Sequence, residues 1–212
     1  MIMNKLAGFF MVFYLSLFSF SSSGSGLVIS GGVFQEVKNI EYKNESYLFY
    51  NFACGKCYRV HQEFVLNKYE LDNIKIKPVD KSDSEISKNA AILFIMAESQ
   101  GNDPYYLALK IFQIIHSPLP WEYEKYRKLS TLEGMTNFYI DLGMPIEKMS
   151  TYLSDAEKVL SKNNEFSKSL SVVGTPAAIV YNKWLTQGLP KEVGREAVFI
   201  SSIKTALVKF KQ

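Results

Sequence analysis

Tyr47-Leu48-Phe49-Tyr50-Asn51-Phe52 is a short, almost wholly apolar and aromatic run. Its β-forming residues and lack of a polar face predict a central strand buried on both sides. The pattern then changes. Cys57, Val60, Phe64 and Asn67 recur at helical spacing, while Arg59, Gln62 and Glu63 fall off that line. The chain therefore passes from strand to helix at Cys54. Before this pair, Val33 to Ile40 reads as a first strand. After it, Ile74 to Val79 alternates as another. Strand, helix and strand make a β-α-β unit, which implies a parallel pair joined by a right-handed crossover.

From Asp83 to about Ser171 the spacing is helical almost throughout. Ile86, Ala90, Leu93, Phe94 and Ala97 form one stripe, broken at Gly101-Asn102-Asp103-Pro104. Tyr105 to Ile115 predicts a second helix, stopped by Pro118 and Pro120. Ser130-Thr131-Leu132-Glu133 has the form of a capping box opening a third. Gly143 ends that helix, and Pro145 suits the first position of the next. Beyond Gly174-Thr175-Pro176, strand patterning returns in Ala177 to Tyr181. A turn at Asn182-Lys183 leads into Trp184-Leu185-Thr186 as hairpin partner. Phe199, Ile203, Ala206, Leu207 and Phe210 complete the chain with an amphipathic helix. The fold class is α/β, with a helical subdomain inserted into it. Its expected parts are a leader over 1–24, the fold's N-terminal part over 25–82, the helical insert over 83–171 and the C-terminal part over 172–212.

Composition narrows the setting more than the fold. The 212 residues are 47% hydrophobic and 21% charged, with a net charge of +3 from 24 basic and 21 acidic side chains. That balance, without a run of basic residues, gives no reason to expect nucleic acid as a partner. Lys5, the apolar stretch Leu6 to Phe20 and the small residues Ser21 to Gly26 together read as a secretory signal. The apolar stretch is shorter than the roughly 20 residues that a membrane span needs. The mature protein is expected outside the cytoplasm.

Cys54 and Cys57 are the chain's two cysteines. Three residues apart, they would close almost no loop, so a bridge between them would add little stability. The pair calls for a chemical explanation. A Cys-x-x-Cys is half of a zinc site or a redox pair. Zinc could use Cys54, Cys57 and His61, with a fourth ligand from His116 or a carboxylate; no metal is expected. Position favours redox chemistry, because a helix N-terminus carries orphan N–H groups and a partial positive charge that stabilise a thiolate. Cys54, opening the helix, is the expected nucleophile, and Cys57, one turn in, the resolving thiol. Lys56 adds a positive charge beside them or is merely solvated. His61, one turn beyond Cys57, either shuttles a proton to it or packs in the core. His116, in an apolar run ahead of a proline, is read as structural.

With these residues in place the sequence resembles the DsbA family of bacterial periplasmic disulfide oxidoreductases, which implies a thioredoxin-like fold with an inserted helical subdomain. The resemblance rests on the aromatic strand running into Phe52-Ala53-Cys54-Gly55-Lys56-Cys57-Tyr58, the long helical insertion, and Val173-Gly174-Thr175-Pro176 ahead of a hairpin and a last helix. It implies that Pro176 is a cis-proline packed against the redox pair, and that the backbone at Thr175 binds an extended substrate segment. It also implies a monomer that introduces disulfides into reduced or unfolded exported proteins in the periplasm. A membrane partner of the DsbB type would recycle it, and no cofactor is needed beyond the cysteine pair. Three positions depart from the family's best-known pattern. Gly55-Lys56 stands where the oxidases often have Pro-His, Thr175 where the archetypal oxidase has valine, and Leu48 where some members bury an acid. Same-fold isomerases and reductases therefore stay open as alternatives, as does a non-redox peptide-binding chaperone or metal carrier.

Overall fold

The computed structural model describes residues 26–38, 40, 43–81, 84–117, 121, 129–189 and 194–211. The predicted leader, Asp83, Pro118 and Pro120 lie outside the described residues. Among the described residues six strands form one sheet: β1 (Leu27–Ile29), β2 (Gly32–Glu36), β3 (Ser46–Tyr50), β4 (Ile74–Pro78), β5 (Ala177–Val180) and β6 (Trp184–Gln187). Their order is β1-β2-β6-β5-β3-β4. Among these strands β3 and β4 run parallel, in register from Ser46↔Ile74 to Tyr50↔Pro78, and the other neighbouring pairs are antiparallel. Among the described residues the helices are α1 (Gly55–Leu66), α2 (Glu85–Glu98), α3 (Pro104–His116), α4 (Leu132–Asp141), α5 (Met149–Ser169) and α6 (Arg195–Lys209). In the chain, α2 to α5 fall between β4 and β5. Among the described residues no helix is long and apolar enough to cross a membrane.

β3 carries the strongest apolar run and sits in the middle of the sheet, with all five residues buried. Because its side chains alternate, it joins two cores. Leu48 and Tyr50 face the large core with Phe64 of α1, Phe94 of α2, Phe112 of α3 and Ile203 of α6. Tyr47 and Phe49 face a smaller one with Ala177, Ile179 and Leu185. Phe166 of α5 covers that face, meeting the Tyr47 ring edge-on with centroids 5.7 Å apart.

Several boundaries differ from the sequence expectation, each for a local reason. The predicted strand over Val33 to Ile40 is the second arm of a hairpin, and its ladder ends at Glu36. Ser30 and Gly31, both at positive φ (46° and 83°), make the two-residue turn from β1, matching a type I′ hairpin. The central strand ends at Tyr50 because Asn51 turns the chain. Thr131, not Ser130, caps α4, its side chain accepting from the Gly134 N–H at 3.1 Å. Glu133 is then one position short of a capping box. Pro145 precedes a 3-10 turn, Ile146–Lys148, rather than opening α5. β5 stops at Val180, and Tyr181 and Asn182 both take positive φ in the turn to β6.

The edge hairpin makes a stability test. A methyl group on Gly32 would stand 2.7 Å from Ser202 Cβ, since β2 presses its backbone against α6. Gly32→Ala is expected to cost about 1–3 kcal/mol in urea unfolding. In a Ser202→Gly background it should cost less. An unchanged midpoint would mean that α6 does not pack this closely on β2.

Candidate active site

The redox turn is built from the end of β3. Asn51, buried, folds its side chain back so that Oδ1 accepts the Ala53 N–H at 2.9 Å, while its carbonyl accepts the Cys54 N–H at 3.0 Å. Ser87 of α2 donates its hydroxyl to the same Oδ1 at 2.7 Å. The chain thus leaves the sheet in a side-chain-closed turn and delivers Cys54 in extended conformation to the N-cap of α1. There the sulfur does what a serine or aspartate oxygen ordinarily does: Sγ accepts the Cys57 N–H at 3.3 Å. The first turn of α1 holds no acidic side chain.

Both cysteines are free thiols here, Cys54 half-buried and Cys57 fully buried. The peptide bond Thr175–Pro176 is cis. This loop closes over the pair from a sequence separation of 121 residues, placing the Thr175 carbonyl 3.5 Å from Cys54 Sγ. The edge of β6 holds it there: Val173 N–H donates to Gln187 Oε1 at 2.9 Å, and Gly188 N–H to the Pro176 carbonyl at 3.0 Å.

The two thiols are electrostatically unlike. The hydrogen-bonded Cys57 thiol lowers the Cys54 pKa most. Burial opposes it. The Cys57 backbone N–H, the Thr175 side chain and the Lys56 backbone N–H all lower it, and the net result falls from an ordinary 9.0 to about 5. Burial, and then the hydrogen bond and charge of Cys54, push the Cys57 pKa well above its ordinary value. Cys54 is the thiolate and Cys57 the protonated neighbour, the arrangement a nucleophile and its resolving thiol require.

The other sequence candidates fall into two groups. Gly55, Lys56, Thr175 and Pro176 surround Cys54. Lys56 is exposed, and it reaches the sulfur through its backbone N–H. His61 sits deeper. It is fully buried, bonded through Nε2 to the Tyr105 carbonyl at 2.8 Å and set against the Tyr50, Phe64 and Phe112 rings. Burial lowers its pKa to about 4. A neutral ring of so little basicity is a packing histidine rather than a shuttle for a thiol as weakly acidic as Cys57. Among the described residues no cluster of three or more His, Cys, Asp or Glu is placed to hold a metal ion. Asn51 and Ser87 escaped the sequence reading, since one polar residue at the end of an apolar strand does not reveal which backbone groups it closes.

No protein-family model and no curated protein matches the sequence. Solved structures do match. DsbA of Pseudomonas aeruginosa superposes with a TM-score of 0.65 at 18% identity, over 85% of this chain and 93% of that one. The fold is that of the DsbA proteins. A cysteine-to-serine variant of Proteus mirabilis DsbA, solved with a non-covalently bound peptide, gives 0.65 at 14% identity over 86% and 99%. Reduced DsbA1 from Neisseria meningitidis gives 0.55 at 18% identity over 87% and 99%. The DsbA fold is a thioredoxin-like sheet with a helical insert, and here it carries the Cys54–Cys57 pair at the start of α1.

Two predictions follow from this geometry. Removing the Thr175 hydroxyl in Thr175→Val should raise the Cys54 pKa by about one unit, the scale of a hydrogen bond to a charged group. Thiolate absorbance against pH measures it, and an unmoved pKa would remove Thr175 from the groups that stabilise the thiolate. Linkage gives the second. Between about 5 and 9.0 the unfolded chain holds a proton on Cys54 that the folded chain does not. The reduced form must therefore gain stability as pH rises through that window, and lose it as pH falls towards the folded pKa. The disulfide form has no such group. Its unfolding free energy, compared with that of the reduced form between pH 5 and pH 8, should show the gap moving steadily in favour of the reduced form, and a constant gap would contradict the assignment.

Proposed function

We propose that this protein is a thiol–disulfide oxidoreductase that passes its Cys54–Cys57 disulfide to cysteine pairs of exported proteins. The observation that carries this reading is the Cys54 sulfur, half-buried at the N-cap of α1, with its pKa lowered to about 5 above a buried, protonated Cys57. A disulfide oxidises others when its reduced form is the stabilised one, and a stabilised thiolate does that. The Thr175 side chain works in the same direction, since its hydrogen bond favours the thiolate. The predicted leader supports a site of action outside the cytoplasm, where disulfides persist.

The transfer takes two displacements. A substrate thiolate attacks Cys54 Sγ, the Cys54–Cys57 bond breaks, and Cys57 leaves with the electron pair and is protonated. The substrate's second thiolate then attacks its own sulfur in the mixed disulfide and expels the Cys54 thiolate. Two electrons pass from the substrate dithiol to the cysteine pair. Reoxidation needs an external acceptor, and a membrane partner of the DsbB type fits that role. Val173, 85% exposed beside the Thr175–Pro176 loop, offers an apolar contact for an extended chain without demanding a sequence. All the groups the transfer uses lie on one polypeptide, which fits a monomer as the working unit.

In Cys57→Ala the Cys54 thiolate can still attack a substrate disulfide, and no neighbouring thiol is left to attack the resulting mixed disulfide at Cys54. Cells expressing Cys57→Ala with its leader should accumulate disulfide-linked adducts with exported proteins, and Cys54→Ala,Cys57→Ala should not. If no adduct forms through Cys54, the substrate assignment fails.

A further inference from the structure

His116 ends α3, and the fold brings it to the redox turn. Its Nε2 lies 2.9 Å from the Phe52 carbonyl, two residues before Cys54. A carbonyl only accepts, so Nε2 carries the hydrogen and Nδ1 the lone pair. The ring stacks on Tyr58 of α1, with centroids 5.6 Å apart and planes at 11°, and leans on Phe112. Tautomer and plane are thereby both held. Nδ1 looks onto Gly55: a methyl group built there would lie 3.9 Å from Nδ1 and 4.0 Å from Cε1. Glycine carries no such group, so the lone pair opens onto the turn that joins the two cysteines. Thr175 bounds Cys54 on another side, at 3.5 Å.

We propose that His116 is the general base of disulfide transfer, its Nδ1 accepting the proton of the incoming substrate thiol as that sulfur attacks Cys54. The inference rests on the oxidoreductase reading above. A neutral thiol is a poor nucleophile, and a base held in orientation by a third group is the usual means of activating one. Here the Phe52 carbonyl is that third group. In the step the substrate S–H bond breaks and Nδ1–H forms. The substrate–Cys54 bond forms as the Cys54–Cys57 bond breaks, and Cys57 leaves as a thiolate. The imidazolium then yields its proton to water and Cys57 takes one up, so the net transfer is from substrate thiol to Cys57. Of the residues seen against the ring, Tyr58 of α1 is titratable, and Cys54 and Lys56 flank Gly55 in the chain. The β3–α1 loop presents the Phe52 carbonyl, and α3 itself the Phe112 ring. In the oxidised protein Cys54 is in the disulfide and does not titrate.

The test is the stopped-flow rate at which the oxidised full-length mature protein reacts with a cysteine-containing peptide, from pH 6 to pH 9. His116→Phe keeps a flat ring for the stack, and His116→Gln keeps a polar group; neither has a base. Both should slow the reaction about tenfold at neutral pH, less than the roughly hundredfold or more usual for a lost general base, because the substrate thiol is already partly ionised. The gap should close as pH passes the peptide thiol's own pKa, about 8.5, and the Cys54 pKa of the reduced protein should not move. An unchanged rate, a loss equal at every pH, or a loss matched by a shifted Cys54 pKa would overturn the role of His116. Failure of the unsubstituted protein to oxidise the peptide would instead overturn the oxidoreductase reading itself.

Discussion

At the mouth of α1 one sulfur atom completes the helix. Cys54 Sγ accepts the Cys57 N–H that would otherwise end without a partner. The same contact that caps the helix stabilises a thiolate, so local structure and chemistry are one interaction. Everything nearby serves to deliver that sulfur and keep it there. Asn51 closes the turn out of β3, Ser87 anchors Asn51 from the insert, and the β6 edge carries the Thr175–Pro176 loop across from the far end of the chain.

Burial divides the labour between the two thiols. Two residues of α1, Gly55 and Lys56, separate a half-buried sulfur ringed by donors from one sealed in the large core beside Tyr50, whose own ionisation is suppressed by burial and by Cys57. In that setting a negative charge belongs on Cys54 and a proton on Cys57. The helical insert contributes to this contrast. Phe94 of α2 and Phe112 of α3 pack on Phe52, with centroids 5.7 and 4.8 Å away, and wall off the turn from below. The insert is thus part of the redox site as well as a lid of secondary structure over the sheet.

Much of this was legible in the residues. The almost wholly apolar run before Cys54 announced a strand covered on both faces, and the spacing of Cys57, Val60 and Phe64 announced the helix whose start the cysteines occupy. The long helical stretch and the return to strands at Ala177 were likewise written in the period of the apolar positions. What stayed hidden was set by contacts between distant segments or by single turn residues. β1 was missed because three residues and a Ser30-Gly31 turn carry too little pattern. His61 shares a helix face with Cys57, yet burial among aromatic rings, which no spacing reveals, takes away its basicity. His116 reads as a core histidine in sequence, and only the packing of α3 on α1 sets it over Gly55. Lys56 was singled out for its charge, whereas its backbone N–H is what reaches the sulfur.

The direction of electron flow depends on how far these contacts stabilise the reduced pair. The equilibrium of the Cys54–Cys57 couple with a glutathione redox buffer measures this directly. If the Cys54 thiolate is held as the structure indicates, the potential lies above about −200 mV, on the oxidising side of the glutathione pool. A value near about −270 mV, that of a reductant, would contradict the account.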